Sequence, residues 1–330
     1  MATRREWILR ATVEAARIRE QFPQGRRTSF DIVGATSALG LPLLYRPTKG
    51  LLGATVVLDD GTLGILVTTN RGLGAQRFTL AHELGHILLN HAMHFDPFAE
   101  EVGSLEEVIH TADEQAADAF ASELLTPQRS IIRVATQCGW GPSELTTPAC
   151  VYQLSLRLGV SFRAMCWSLV GANLVAPNSA RQIAKTTDLQ QLKRSLDTQS
   201  LLEDPWADVW RLTAADSGSV IEAGPGDVYV AELSGHPSAG FLWSLDQDSH
   251  DFEVSGEIDD DRPEYGSETS RILFLRASEK GRHRLDLINR RPWNNETEGR
   301  VEIDVVNFGK EEAGLPRQVR ELRIAAGASA

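Results

Sequence analysis

Two histidines spaced one helical turn apart, with a glutamate after the first, are the residues best suited to chemistry in this sequence. They are His82, Glu83 and His86, within the segment FTLAHELGHILLNH. On an α-helix, positions i and i+4 share a face, so both imidazoles can reach one metal ion. Imidazole nitrogen is a good zinc ligand, and the intervening glutamate can take a proton from water that zinc acidifies. The pattern predicts a zinc site that hydrolyses peptide bonds.

The alternative interpretation is a chance match on a helix whose histidines cap or pack. Only eight histidines occur in 330 residues, so this spacing is uncommon by chance. Gly85 and apolar neighbours such as Leu84 also fit a buried active-site helix. We therefore favour the metal site, and we predict that Thr79 caps the start of the helix.

A catalytic zinc usually has three protein ligands and an open position, so one more ligand is expected. The downstream candidates are His91, His94, Glu100, Glu101, Glu106, Glu107, His110, Asp113, Glu114 and Asp118. Glu114 lies one turn before the apolar stripe of a second predicted helix, so its carboxylate can face inward. However, Thr111 and Glu114 also have capping-box spacing, which would place that carboxylate on a backbone N–H. The spacing leaves both readings open.

Local patterns predict the elements that must position these residues. The predicted elements are a helix over 4–20, a β-hairpin turning at Asp60-Gly61, helices over 104–125, and helices over 143–175 with a turn at 158–161. After Ser217, short alternating runs separated by turn residues predict an all-β sandwich.

Composition restricts the partners and the compartment. The net charge of -12 argues against autonomous DNA binding, because such affinity comes from Lys and Arg neutralising phosphates. Cys138, Cys150 and Cys166 show no C-x-x-C spacing and predict free thiols in a reducing compartment. The N-terminus lacks a signal-peptide pattern, and no apolar run is long enough to span a bilayer. We expect a cytoplasmic protein without membrane association.

Two blocks resemble the ImmA/IrrE family of metallopeptidases: R-F-T-L-A-H-E-L-G-H from Arg77, and E-x-x-A-x-x-F-A-x-x-L-L-x-P from Glu114. The resemblance extends over residues 1 to about 175. It implies that His82, His86 and Glu114 bind Zn²⁺ and that Glu83 is the catalytic base. Asp118 matches a position where the family has Asn or Asp, so it either orients a ligand histidine or lies on a solvated helix face. Known members of the family tend to cleave DNA-binding repressors, often in stress response, which implies a specific protein substrate.

The segment 143–175 resembles a helix–turn–helix, which commonly follows the peptidase core in this family. Its functional reading is contact with DNA or substrate, and the alternative is packing against the catalytic helices. Basic residues are few, namely Arg157 and Arg163, and they form no recognition face. We favour packing.

Two loops of the β region resemble those of chagasin, an immunoglobulin-like inhibitor of papain-type proteases. The candidate partner-binding residues are His236, Pro237, Gly240, Phe241, Arg291, Pro292 and Trp293. His236 replaces the Asn of the family's N-P-T-T-G-[YF]-x-W pattern, and the nearest counterpart of its glycine-rich loop is at 264–267. The alternative is that these residues only form turns and supply core aromatics.

Together these features predict a multidomain chain. Its predicted parts are an α+β zincin-like peptidase over 1–135, a helical extension over 136–180, a connector over 181–215, and an immunoglobulin-like sandwich over 216–330. The predicted function is a zinc-dependent endopeptidase that cuts a specific protein, such as a repressor or a partner encoded nearby, while the sandwich recruits substrate or regulates activity. The alternatives are an inhibitor or adaptor that binds a papain-like protease, and a transcriptional regulator with structural zinc. Glu83 argues against both, because a structural zinc site needs no general base.

Overall fold

The computed structural model describes residues 4–59, 61–91, 95–97, 111–247, 249–259, 269–278, 280–294, 296–309, 311–312, 320 and 322. The described helices are α1 (Arg4–Gln21), α2 (Ile32–Ala38), α3 (Leu73–Leu88), α4 (Ala112–Leu125), α5 (Gln128–Gln137), α6 (Pro148–Leu158), α7 (Phe162–Gly171), α8 (Pro177–Thr186) and α9 (Leu189–Leu196). The described strands are β1 (Leu43–Arg46), β2 (Leu51–Val57), β3 (Leu63–Thr68), β4 (Phe95–Pro97), β5 (Val209–Leu212), β6 (Val220–Glu222), β7 (Val228–Gly235), β8 (Leu242–Leu245), β9 (Phe252–Asp259), β10 (Thr269–Ala277), β11 (Gly281–Arg290) and β12 (Thr297–Asn307).

The first sheet lies beside the histidine-bearing helix α3 and has the strand order β1-β3-β2-β4. Strands β2 and β3 form the predicted antiparallel hairpin. Its turn includes Gly61 at φ +83°, in the left-handed region that glycine adopts without strain. At Gly53 of β2, an added Cβ would lie 2.4 Å from the methyl carbon of Thr79 on α3. Glycine at this position therefore permits the close approach of sheet and helix.

Helix α3 begins seven residues before the predicted start. The prediction that Thr79 is the N-cap is wrong: Gly72 occupies that position, and Thr79 is buried within the helix. Each glycine destabilises a helix by roughly 1 kcal/mol, so local helix propensity predicts a helix that starts after Gly74. The tertiary contact of Gly74 with the α6–α7 turn determines where the helix begins. This contact requires glycine, because a Cβ at position 74 would lie 2.5 Å from the carbonyl carbon of Val160.

Helices α1 to α8 share one hydrophobic core with the first sheet. Buried side chains of this core come from every helix between α1 and α8; they include Ile18, Ile32, Leu80, Phe120, Ile131, Leu154, Met165 and Ile183. The predicted break between helices is confirmed: Gly159 ends α6 at φ +67°, and Ser161 caps α7. The predicted helical stretch over 104–110 lies outside the described residues. None of the described helices has both the length and the apolar character required to span a bilayer.

Two four-stranded sheets form the C-terminal sandwich. Their strand orders are β5-β7-β10-β9 and β6-β12-β11-β8. Alternating inward side chains fill the space between them, including Trp210, Tyr229, Leu273, Leu287 and Ile303. Strand β5 comes from the segment assigned to the connector, and its parallel pairing with β7 joins it to the sandwich. The domain boundaries themselves stay predictions.

The N-terminal region extends one edge of the sandwich. Val220 of β6 accepts a hydrogen bond from the backbone of Thr28 and donates one to the carbonyl of Arg26, at 3.1 and 2.9 Å. The Arg26 side chain also pairs with Asp304 of β12 at 3.0 Å. An uncovered strand edge invites pairing with other chains, and residues 26–28 cover this one.

Replacing Gly74 by alanine tests whether the close contact between α3 and the α6–α7 turn holds the helix in place. We expect Gly74→Ala to lower the free energy of unfolding by about 1–3 kcal/mol, because the new methyl group meets backbone atoms that cannot rotate away. The control is Gly171→Ala at the end of α7, where an added Cβ meets no atom within 4 Å. Urea denaturation of both variants measures the difference, and equal stabilities would contradict the packing argument.

Candidate functional site

Three side chains able to bind a metal ion converge between α3 and α4. His82 and His86 come from α3, and Glu114 comes from the first turn of α4. The two histidine Nε2 atoms are 3.0 Å apart. The carboxylate oxygens of Glu114 lie 3.2 Å from Nε2 of His82 and 3.3 Å from Nε2 of His86. The predicted ligand residues are thus brought together around one point.

The residue types and their spacing fit zinc. Ligand atoms at about 2.0–2.1 Å from a tetrahedral zinc lie roughly 3.3 Å from one another. The three separations in this cluster are 3.0, 3.2 and 3.3 Å. Two imidazoles and one carboxylate form a common catalytic zinc set that leaves a fourth position for water or substrate. In the part of the chain that the structure describes, these residues form a group that can hold a metal ion.

The close approach of α3 and α4 depends on Gly85. A Cβ added to this glycine would lie 3.0 Å from Cδ1 of Phe120 and 3.3 Å from the Cα of Ala117. Gly85 is adjacent to His86, so the helices come closest beside the ligand cluster. Any side chain here would push α4, and Glu114 with it, away from the histidines.

The structure distinguishes the two readings of Glu114 that its spacing left open. Thr111 is the N-cap of α4, and its side-chain oxygen accepts a hydrogen bond from the backbone N–H of Glu114 at 3.2 Å. The capping contact uses the backbone of Glu114, while its carboxylate lies against the two histidines. The cap thereby fixes the first turn of α4, which carries the carboxylate.

Each histidine of the cluster contacts a further side chain through its other ring nitrogen. Nδ1 of His82 lies 2.9 Å from Oδ1 of Asp118, one turn after Glu114 on α4. Nδ1 of His86 lies 3.1 Å from Nδ1 of His91. Such contacts orient a ligand ring toward its metal. Asp118 therefore lies where an orienting carboxylate is expected. His91, considered from the sequence only as a third ligand, lies behind His86.

The electrostatics of the cluster favour positive charge. Burial alone would lower the pKa of His82, but hydrogen bonds that its ring donates to Asp118 and Glu114, together with the charges of these carboxylates, raise the pKa to about 10. Hydrogen bonds with His82 and His86 hold the pKa of Glu114 well below its usual range. Glu114 lies on the Nε2 side of His82, where its carboxylate would also stabilise a bound metal cation.

Glu83 lies on α3 against strand β2 and is almost completely buried, with 1% of its surface exposed. The hydroxyl of Thr55 on β2 donates a hydrogen bond to Oε2 of Glu83 at 3.1 Å. A Cβ at Gly53 would lie 3.2 Å from Oε1 of Glu83. The contact between Glu83 and these strand residues is not predictable from the sequence, because the approach of sheet and helix is a tertiary feature. Thr55 and Gly53 set the position of the carboxylate.

The two basic residues of the helix–turn–helix-like segment differ, because Arg163 is exposed whereas Arg157 is packed inside the protein. Arg157 of α6 is buried and forms two hydrogen bonds with the Asp216 carboxylate, at 3.0 and 2.9 Å. The side chain of Gln153 also hydrogen-bonds the backbone of β5. Packing against the catalytic helices was the favoured interpretation, and side chains of α6 and α7 do share a core with α3 and α4. The contacts of Arg157 and Gln153 also bind α6 to the C-terminal part of the chain.

The two chagasin-like loops come together at one end of the sandwich. The guanidinium carbon of Arg291 lies 4.4 Å from the ring centroid of Phe241, and its Nε donates to the carbonyl of Ala239 at 3.0 Å. Gly240 has φ +84°, and a Cβ there would lie 2.3 Å from Cη2 of Trp293. Glycine is therefore required both by the backbone conformation and by the stacked indole.

The aromatic residues of these loops divide between core and surface. Phe241 and Trp243 are buried, as the core interpretation predicts. In contrast, 71% of the surface of Trp293 is exposed, and Pro292 and His236 are exposed beside it, whereas Pro237 is half-buried. The turn-and-core interpretation therefore leaves Trp293 unexplained. The glycine-rich loop candidate at 264–267 lies outside the described residues.

Comparison with known families gives two matches. Residues 36–169 match the family model of the IrrE N-terminal-like domain, a peptidase family, and residues 222–305 match that of the chagasin family of peptidase inhibitors. Both resemblances predicted from the sequence are confirmed, as is the multidomain fold with a helical α+β region before a β-sandwich. No curated protein matches the chain.

Several solved structures are similar to the sandwich. The cysteine protease inhibitor EhICP2 from Entamoeba histolytica is 21% identical, with a TM-score of 0.27, and the match covers 30% of this chain and 94% of that one. Amebosin is also 21% identical, with a TM-score of 0.26 and coverages of 29% and 95%. PbICP-C, solved in complex with falcipain-2, is 13% identical, with a TM-score of 0.20 and coverages of 29% and 87%.

Removing the Asp118 carboxylate tests its contact with His82. We expect Asp118→Ala to weaken zinc binding by about 10–100-fold, because His82 loses the group that orients its ring. Chelator competition on the zinc-free protein measures the affinity. Ser122→Ala, at an exposed position one turn further along α4, is the control and should bind zinc like the wild type. An unchanged affinity for Asp118→Ala would assign Asp118 to a solvated helix face.

Proposed function

We propose that this chain, which joins an IrrE-like peptidase region to a chagasin-like sandwich, is a zinc-dependent endopeptidase acting on a specific protein substrate. The observation that carries the proposal is the convergence of His82, His86 and Glu114 within 3.3 Å of one another. Glu83, between the two histidines in sequence, supplies a buried carboxylate on the same helix. A structural zinc site has no use for such a carboxylate, so the arrangement favours catalysis.

The proposed division of labour follows from the positions of these residues. Zinc in such a site supplies Lewis-acid chemistry, lowering the pKa of water to about 7 and polarising a peptide carbonyl. His82, His86 and Glu114 would hold the metal, and Asp118 would fix the ring of His82. Glu83, held by Thr55, would accept a proton from the attacking water at its carboxylate and pass it to the leaving amine.

The substrate class is proposed from the family resemblance. Family members tend to cleave DNA-binding repressors, so a repressor, or a protein encoded beside this one, is the proposed target. The net charge of -12 and the buried Arg157 argue against a DNA-binding role for the chain itself. The free cysteines favour action in the cytoplasm.

Glu83→Gln tests the catalytic assignment. We expect this variant to keep about one zinc per chain and to lose cleavage of the target by at least about 10²-fold, because the amide cannot accept the proton. Cleavage is measured on purified proteins encoded beside this one, with metal content determined in parallel. Glu123→Gln on α4 is the control, since that carboxyl is half-buried but is not part of the cluster. Retained cleavage by Glu83→Gln would remove Glu83 from the mechanism.

A second candidate function rests on the loop surface of the sandwich. Trp293 is 71% exposed and stacks on Gly240, beside the Arg291–Phe241 pair. Exposed tryptophan and arginine are typical of binding hot spots. We propose that this surface binds a protein, either the substrate or a papain-like protease.

Trp293→Ala tests the binding surface separately from the metal site. We expect at least a 30-fold loss of affinity for the bound protein, since a hot-spot truncation costs about 2 kcal/mol or more. Zinc content should stay unchanged. Trp206→Ala is the matched control, because Trp206 is 78% exposed but is not in these loops. Binding is measured by calorimetry against papain and against the cleaved target; an equal effect of the two substitutions would exclude these loops as the binding site.

A further inference from the structure

We propose that Glu222, a residue of the sandwich, is a positioning residue for the metal ligands on α3. It acts through Arg77, which lies five residues before His82. The inference rests on the proposed function, because the residues to be positioned are those assigned to the metal. It makes the sandwich a structural component of the peptidase site, in addition to any role in recruitment.

Arg77 is enclosed by three segments of the protein. Its Nη1 donates a hydrogen bond to Oε2 of Glu222 on β6 at 2.6 Å, and its Nη2 donates to the carbonyl of Phe30. A Cβ at Gly159 would lie 2.8 Å from Nε of Arg77, so the α6–α7 turn packs directly against the guanidinium. Both partners of the ion pair are buried, with 2% and 5% of their side-chain surface exposed.

The charge of Arg77 makes this contact obligatory. A guanidinium stays protonated under all conditions in which proteins are folded. A buried charge whose partner is removed is strongly destabilising. The carboxylate that balances Arg77 comes from the sandwich, so the position of β6 determines where the Arg77 side chain points.

Arg77 holds α3 from the side away from the metal ligands. At 3.6 residues per turn, it lies about 140° around the helix from His82 and about 180° from His86. The ligands face α4 and Glu114, whereas the guanidinium faces the sandwich. A rotation of α3 that moved the histidines away from Glu114 would have to break the Arg77–Glu222 pair.

The preceding residue provides a second link to the C-terminal part of the chain. The side-chain amide of Gln76 accepts a hydrogen bond from the backbone N–H of Glu311 at 2.9 Å and donates one to its carbonyl at 3.2 Å. Gln76 and Arg77 are thus consecutive residues of α3 bonded to two different segments of the C-terminal part. Together they limit both rotation and sliding of the helix.

A second buried ion pair between the same two parts of the chain supplies a matched control. Arg157 on α6 pairs with Asp216 at 2.9 Å, and each side chain is 2% exposed. This pair is as deeply buried as Arg77–Glu222, but Arg157 is not on the metal-binding helix. Loss of either carboxylate should destabilise the whole protein, whereas only loss of Glu222 should disturb the ligands.

The test compares Glu222→Gln with Asp216→Asn in the full chain. Zinc affinity is measured by chelator competition, amide hydrogen exchange of residues 76–86 is measured in the zinc-free protein, and urea denaturation measures global stability. We expect both variants to unfold at lower urea concentration. We expect only Glu222→Gln to bind zinc at least about 10-fold more weakly, the loss typical when groups that support metal ligands are removed, and to exchange faster along α3.

Equal zinc affinities in the two variants, whether unchanged or lowered together, would overturn the proposal. If Glu222→Gln does not fold, the double variant Arg77→Met with Glu222→Met removes the unpaired buried charge and replaces it with apolar contact. That protein should fold and still bind zinc more weakly than Asp216→Asn; wild-type affinity in the folded double variant would also refute the role of Glu222.

Failure of the proposed function gives a different result. If the wild-type protein binds no zinc, the metal assignment is wrong, yet hydrogen exchange along α3 still compares the two variants. Equal exchange in that case would refute the positioning role as well, and faster exchange in Glu222→Gln alone would retain it as an anchor of the helix.

Discussion

The contact between α3 and α4 at Gly85 is the constraint on which the geometry of the candidate metal site depends. The two histidines come from one helix and the carboxylate from the other, so their separations of 3.0–3.3 Å exist only while the helices stay this close. Glycine at position 85 removes the side chain that would separate them, and Phe120 fills the space. Gly85 therefore lowers the intrinsic helix propensity of α3 beside the candidate site. The geometry of the site outweighs this local preference.

A second close approach at a glycine positions Glu83, the proposed general base. Gly53 of β2 allows the sheet to meet α3 at Thr79 and Glu83, and Thr55 then reaches the Glu83 carboxylate. The candidate metal ligands and Glu83 are thus fixed from two sides of one helix, by α4 and by β2. The sandwich holds a third side through Arg77. Helix α3 is almost entirely buried because each of its faces has a separate partner.

The parts of this site that depend on local spacing were predictable from the sequence. The motif of His82, Glu83 and His86 is recognisable in the sequence because its members lie within about one helical turn of one another. The prediction of Glu114 as a ligand depended on a second sequence motif, because Glu114 is too far from His82 in the sequence for any local periodicity to relate them. The Arg77–Glu222 pair was beyond prediction because 145 residues separate its members. The early start of α3 was missed for a related reason: Gly74 disfavours helix locally, and its contact with Val160 is visible only in the fold.

The pairing of residues 26–28 with β6 also has a consequence for synthesis of the chain. Thr28 and Val220 are separated by 192 residues, so the N-terminal segment leaves the ribosome long before its strand partner exists. The carboxylate that balances Arg77 is likewise absent until residue 222 has been translated. At about 5–20 residues per second, translation of the 192 residues between Thr28 and Val220 takes roughly ten to forty seconds. The helix that carries the histidines therefore completes its packing only after about two thirds of the 330-residue chain has been made.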